Sequence, residues 1–119
     1  MLQKRQPALS GLLRESVVFQ QHALDLNGDR LGPWTDDFAT PARVVMRTQG
    51  EVVLQQRVAG QQPVEVTVRL DRFSARLDTD WRMVWLGWPY EITAIAVDEL
   101  AATVTLIALR AREVEAVVS

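Results

Sequence analysis

The segment Pro63-Val64-Glu65-Val66-Thr67-Val68-Arg69-Leu70 constrains the fold more than any other part of the chain. Val64, Val66, Val68 and Leu70 take every second position, and Glu65, Thr67 and Arg69 fill the gaps. A period of two suits a strand with one face buried and the other wet. Such a strand needs neighbours for its N–H and C=O groups and a second layer over its apolar face.

The rest of the chain supplies those neighbours. Ser16 to His22 reads as a first strand, with Val17, Phe19 and Gln21 on one face and Val18, Gln20 and His22 on the other. A loop follows from Asp25 to Trp34, marked by Asn27-Gly28 and Gly32-Pro33. Phe38 to Thr48 predicts a second strand, with Pro41 near its start, where a missing N–H suits an edge or bulge. Residues 49–62, bracketed by Gly50 and Gly60, read as a short helix within a loop. After Pro63–Leu70 come a polar loop over Arg72–Asp80 and a hairpin of Arg82–Leu86 and Trp88–Val97 around Gly87. A turn through Asp98-Glu99 then leads to a last strand, Ala102–Arg110. About six strands and at most one short helix predict an all-β fold, a small six-stranded barrel or sandwich with long loops. The expected organisation is an extended N-terminal arm over 1–14, a β-barrel domain over 15–112 and a tail over 113–119.

With 119 residues the chain has the length of one domain and can bury a core without staples. It has no Cys, which excludes disulfides, thiolate metal sites and cysteine nucleophiles, and its one His excludes a His-rich zinc site. No apolar run approaches the ~18 residues of a membrane span. Met1–Leu13 lacks the apolar stretch of a secretory signal. Charge is unevenly placed. Residues 1–14 carry Lys4, Arg5 and Arg14 and no acid, whereas residues 15–119 carry 10 basic and 15 acidic side chains, a net −5. A basic arm on an acidic body is a tethering pattern.

Candidate chemical sites are thin. Asp25-x-Asn27-x-Asp29 has the opening of a calcium loop, but Arg30 stands where the sharp turn needs Gly, and Asp36 where a bidentate Glu is needed. It reads as an Asx-rich turn. His22 has no second imidazole to share a metal and reads as structural. The carboxylate pairs Asp36–Asp37, Asp78–Asp80 and Asp98–Glu99 all fall in expected turns, where solvated acids are common. There is no Gly-rich phosphate loop, nucleophile elbow or zinc spacing. The chain is therefore expected to be no enzyme and to carry no metal or cofactor. Trp81, Trp85 and Trp88, with Tyr90, form the main aromatic cluster. They suit a barrel core, with one or two rings free for a neighbouring subunit. Aromatic residues on a sheet also suit an oligonucleotide-binding barrel, but residues 81–99 set only Arg82 against Glu91, Asp98 and Glu99. That reading, or a generic protein-interaction domain, is the alternative.

The order of these pieces is similar to a known family. A basic arm leads into Glu15-Ser16-Val17-Val18-Phe19-Gln20, then a turn-rich loop ends in Gly32-Pro33-Trp34-Thr35. Val64-Glu65-Val66-Thr67-Val68-Arg69 follows, and then Trp81-Arg82-Met83-Val84-Trp85-Leu86-Gly87-Trp88-Pro89-Tyr90-Glu91-Ile92-Thr93-Ala94-Ile95. This resembles the phage head–tail joining proteins, the head completion or stopper family of long-tailed phages and gene transfer agents. The resemblance spans about residues 14–112 and is carried by structural motifs; the longer arm departs from the family.

The resemblance implies a mechanical part of a virion. Such a protein forms a homo-oligomeric ring in the particle neck, assembled in the host cytoplasm. An adaptor protein sits above it and tail terminator or tail proteins below it. Packaged double-stranded DNA passes through the lumen without sequence-specific binding, and no membrane is involved. By the same resemblance the loop with Gln49, Glu51, Gln55, Gln56, Arg57, Gln61 and Gln62 is expected to be a channel gate. The arm with Lys4, Arg5 and Arg14 is expected to bind the adaptor. Trp34, Asp36, Asp37 and Trp88 are expected at a subunit or tail interface.

Overall fold

The computed structural model describes residues 13–24, 26–28, 32–46 and 62–110. Six strands are present: β1 (Glu15–His22), β2 (Trp34–Met46), β3 (Pro63–Arg69), β4 (Arg82–Trp85), β5 (Trp88–Asp98) and β6 (Thr103–Arg110). They close into a barrel in the order β1-β2-β3-β6-β5-β4, with β4 returning to β1. Every pairing is antiparallel. The all-β expectation holds. The one helical element among the described residues is a 3-10 turn, Ser74–Arg76, inside the expected polar loop. The helix expected over 49–62 lies outside the described residues except for Gln62, which precedes β3 without regular structure.

Alternation along the strands builds the core. Val17 and Phe19 of β1, Val64, Val66 and Val68 of β3, and Val104, Leu106 and Ala108 of β6 are fully or almost fully buried. Met83 of β4 and Ile92 of β5 join them, and Ala42 is β2's fully buried residue. Each Val, Leu, Ile, Phe or Met side chain so withdrawn from water contributes about 1.5–3 kcal/mol before entropy is charged. Leu77 and Trp81, from the connection between β3 and β4, pack into the same cluster. That connection spans one end of the barrel and acts as its plug.

Strand direction assigns every loop to an end. Strands β1, β3 and β5 run one way, and β2, β4 and β6 the other. The β1–β2 loop, the β3–β4 connection and the β5–β6 turn therefore lie at one end, here the loop end. The start of β1, the end of β2, the start of β3, the Leu86-Gly87 turn and the end of β6 lie at the opposite, chain-end side. Leu86 (φ 55°) and Gly87 (φ 81°) are both left-handed there. Two such residues match the right-handed twist of a tight hairpin.

The pairing corrects two readings. β2 starts at Trp34, not Phe38, so Asp36 and Asp37 sit on a strand rather than in a turn. Asp favours turns when alone, but pairing of Gln20 with Asp36, Gln21 with Thr35 and His22 with Trp34 overrides that preference. A bulge accommodates it, because the register slips between Phe19 and Gln20 and leaves Asp37 as the extra residue. A second bulge in β5, at Thr93, slips the register between Ile92 and Ala94.

Candidate interaction surface on the outer wall

Gln20 lies on the outward parity of β1, yet it is buried. Its cross-strand neighbours explain this. Asp36 stands beside it on β2 and Arg82 on β4, all three in register. Gln20 Nε2 donates to Asp36 Oδ1 at 2.7 Å, and Arg82 Nε donates to Gln20 Oε1 at 2.7 Å. Glu91 of β5 comes next in register, opposite Arg82. The result is a polar row across four strands that ties β2, β1 and β4 together. Arg82 also lies over the Trp34 ring, 4.7 Å from its centroid. A cation on an aromatic face adds about 0.5–1 kcal/mol at an exposed site.

Trp34 is held from its other neighbour too. The His22 ring lies 3.7 Å from it, tilted by 31°. His22 Nδ1 is 2.9 Å from the Gly32 carbonyl, so it carries the proton and donates. This partnership answers the question of the lone histidine: it braces the neck of the β1–β2 loop. Ala23 and Gly32 close the same neck by Ala23 N–H to Pro33 O and Gly32 N–H to Ala23 O, at 2.7 and 2.8 Å. Gly32 is required there, because a Cβ would lie 2.7 Å from the Ala23 carbonyl oxygen.

Asp37, the bulge residue, is bound from two sides. Gln21 Nε2 donates to its Oδ2 at 2.9 Å, and Arg76 Nη2 to its Oδ1 at 2.5 Å. The Arg76 hydrogen bond holds the carboxyl below its usual range. Arg76 also faces the rings of Trp81, Phe38 and Phe73, at 5.3, 5.9 and 6.0 Å. The pair therefore anchors the plug over the first part of β2.

The four residues expected at an interface do not form one site. Trp34, Asp36 and Asp37 share the wall described above, toward the loop end. Trp88 opens β5 at the chain-end side, paired with Trp85, with Arg110 3.8 Å above its ring. Trp85 donates its Nε1–H to Glu15 Oε1 at 3.2 Å. Burial of the Tyr90 hydroxyl nearby pushes its pKa up. Trp34 and Trp88 are both half-buried, each with an Arg against its face. Of the expected arm, Lys4 and Arg5 lie outside the described residues, and Arg14 directly precedes β1. Of the expected gate, Gln49, Glu51, Gln55, Gln56, Arg57 and Gln61 lie outside them, as do Asp25, Asp29 and Arg30 of the Asx-rich turn. Sequence reading missed Gln20, Arg76 and Arg110 as partners of these residues. The signal for Gln20 was present: an uncharged amide on a strand between two stretches rich in charge.

Chemically, the wall offers Trp and Arg side chains in fixed positions, the residue types that dominate protein–protein contacts. Among the described residues no three His, Cys, Asp or Glu side chains converge on one point. No described helix is long and apolar enough to cross a membrane.

No protein-family model matches the chain, and no curated protein sequence does. Solved structures do. The solution structure of protein SF1141 from Shigella flexneri 2a superposes with a TM-score of 0.60 at 16% identity, covering 87% of this chain and 96% of that one. A chain from the virion of a native gene transfer agent particle superposes with a TM-score of 0.59 at 20% identity, covering 90% and 97%. At these identities the likeness shows a common fold: this barrel, over nearly the whole of both neighbours, is also the fold of a gene transfer agent virion component.

Proposed function

We propose that the chain is a structural component of a phage-like particle, a head–tail connector subunit that acts by shape. The observation that carries this reading is the match to the gene transfer agent virion chain over almost its full length. Copies form a ring beneath the portal and its adaptor, retain packaged DNA and offer the tail its docking surface. A closed ring uses two different lateral faces on each subunit. The barrel provides distinct faces: the wall of β2, β1 and β4 that carries Trp34, Asp37 and Arg82, and the β3–β6 side across the barrel. The acidic body suits a channel lining, since like charge keeps a phosphate backbone from sticking. The Gln-rich β2–β3 connection narrows the lumen, because amides both donate and accept and so pair between copies around an axis.

The test is particle imaging. Density for this chain is expected as a ring between portal and tail, and particles lacking it are expected to leak DNA and remain tailless. Density away from that axis, or normal particles without the chain, refutes the proposal.

A further inference from the structure

The barrel closes through only part of β5. β4 covers β5 from Trp88 to Glu91 and then stops, since Arg82 is its first residue. Among the described residues, Ala94–Asp98 pair beyond the Thr93 bulge with β6 alone. No hydrogen bond of the described turns and loops reaches their other edge. Ala94, Ala96, Val97 and Asp98 are exposed. Proteins normally blunt such an edge with Lys, Pro or a covering segment. Over Ala94-Ile95-Ala96-Val97 there is no Lys or Pro, and no covering segment among the described residues. The comparable first part of β2 is treated differently, because Arg76 and Phe73 of the plug lie across it.

The charged side chains at this edge are acidic, Asp98 with Glu99 beside it, while Glu91 further down β5 stands opposite Arg82. Between Met83 and Leu109 the only charged side chains are Glu91, Asp98 and Glu99. Residues 1–12 have the complementary make-up: Lys4 and Arg5, no acid, and apolar Leu2, Ala8 and Leu9. We infer that residues 4–8 of one copy add as an antiparallel strand to the Ala94–Asp98 edge of a neighbouring copy. With Gln6 opposite Ala96, Lys4 falls opposite Asp98, and Arg5 approaches Glu99. Main-chain pairing supplies affinity, and these charges fix the register. Pro7 is compatible, since an added strand is itself an edge, where half the N–H groups face outward.

A neighbouring copy is the partner rather than the same one. Leu13, where the described chain begins, lines one surface pocket with Thr40 and Pro41 of β2 and with Arg69 and Asp71. In the strand order β1-β2-β3-β6-β5-β4 that wall is across the barrel from the free side of β5. From Leu13 back to Gln6 the chain reaches about 23 Å when extended, enough to cross to an adjoining subunit. The inference goes beyond the connector reading and stands on the edge and its charge. It gives the arm a different target from the adaptor that the family resemblance implies.

The chain has no Cys, so introduced thiols report without background. Full-length Gln6→Cys and Ala96→Cys variants, mixed under mild oxidation, are expected to form a disulfide-linked heterodimer, because directly opposed residues in a pair have Cα atoms within disulfide range. Raised salt should lower the yield. Ala94→Lys in the Ala96→Cys chain, at an exposed position that leaves the core intact, should cut it to the level of a Gln6→Cys and Ala39→Cys mixture. Equal linkage to Ala39→Cys, or linkage only within a single chain carrying both cysteines, overturns the inference. So does linkage of Gln6→Cys to an adaptor protein with none to Ala96→Cys. Particle imaging is unaffected by these outcomes, so failure here is separable from failure of the connector reading.

Discussion

Replacing Gln20 with Leu tests whether the outer polar row closes the barrel. β4 meets β1 only at Val18–Val84, Phe19–Met83 and Gln20–Arg82, so the seam is short. Gln20→Leu keeps the volume and removes both side-chain bonds, to Asp36 and to Arg82. A hydrogen bond to a charged group is worth about 1.5–3 kcal/mol. Asp36 is exposed and regains water, so its share falls toward the lower limit; Arg82 keeps Trp34, and the added Leu surface offsets part of the loss. The net cost is about 1.5–3 kcal/mol, which for a domain of this size lowers Tm by roughly 6–12 °C. Thermal unfolding followed by circular dichroism and Trp fluorescence measures it. Gln20→Glu sharpens the test. It still accepts from Arg82, but loses the amide donor and sets a second carboxylate against Asp36, so like charges repel across the strand pair. That variant is expected to be destabilised at neutral pH and to recover as pH falls toward the carboxylate range. A Gln20→Leu midpoint within ~2 °C of the parent, the range of ordinary surface changes, refutes the reasoning.

Two further outcomes follow from the structure. Asp37 has a folded pKa below its ordinary value of 3.8, so its stabilising effect is complete above that value and is lost as pH falls through the lower, folded one. Arg76→Ala should therefore flatten the acid limb of the stability profile and change the neutral midpoint little, as expected for an exposed pair; an unchanged acid limb counts against it. At the hairpin, Leu86 is exposed with φ 55°, a conformation that costs a side chain about 1 kcal/mol, so Leu86→Asn should stabilise by ~0.5–1 kcal/mol in urea unfolding. A loss of stability would show that Leu86 makes contacts the turn depends on.

Much of the fold was readable in advance where local pattern and tertiary role coincide. β3 and β6 alternate cleanly, and the buried sets Val64-Val66-Val68 and Val104-Leu106-Ala108 follow the pattern. The β4–β5 hairpin was equally legible from Gly87. Reading failed at the start of β2, where Asp36 and Asp37 argue locally for a turn and only their partners on β1 make them strand. It also missed the plug: Leu77 and Trp81 enter the core from a loop whose composition is polar. The residues expected at an interface are divided by the fold, since Trp34 and Trp88 begin strands that start at opposite ends.

The sequence by itself determined the set of strands, the buried face of β3 and β6, the lack of cysteine chemistry and the split of charge between a cationic first 14 residues and an acidic remainder. These are properties of period and composition, and a period of two is set by the geometry of a single strand. Only the tertiary structure decided that β4 returns to β1, that Gln20 becomes a buried bridge and that β4 covers only the Trp88–Glu91 part of β5. Those facts depend on register between segments some 60 residues apart and on two bulges. A one-residue slip leaves the local pattern of each strand unchanged while altering which residues meet.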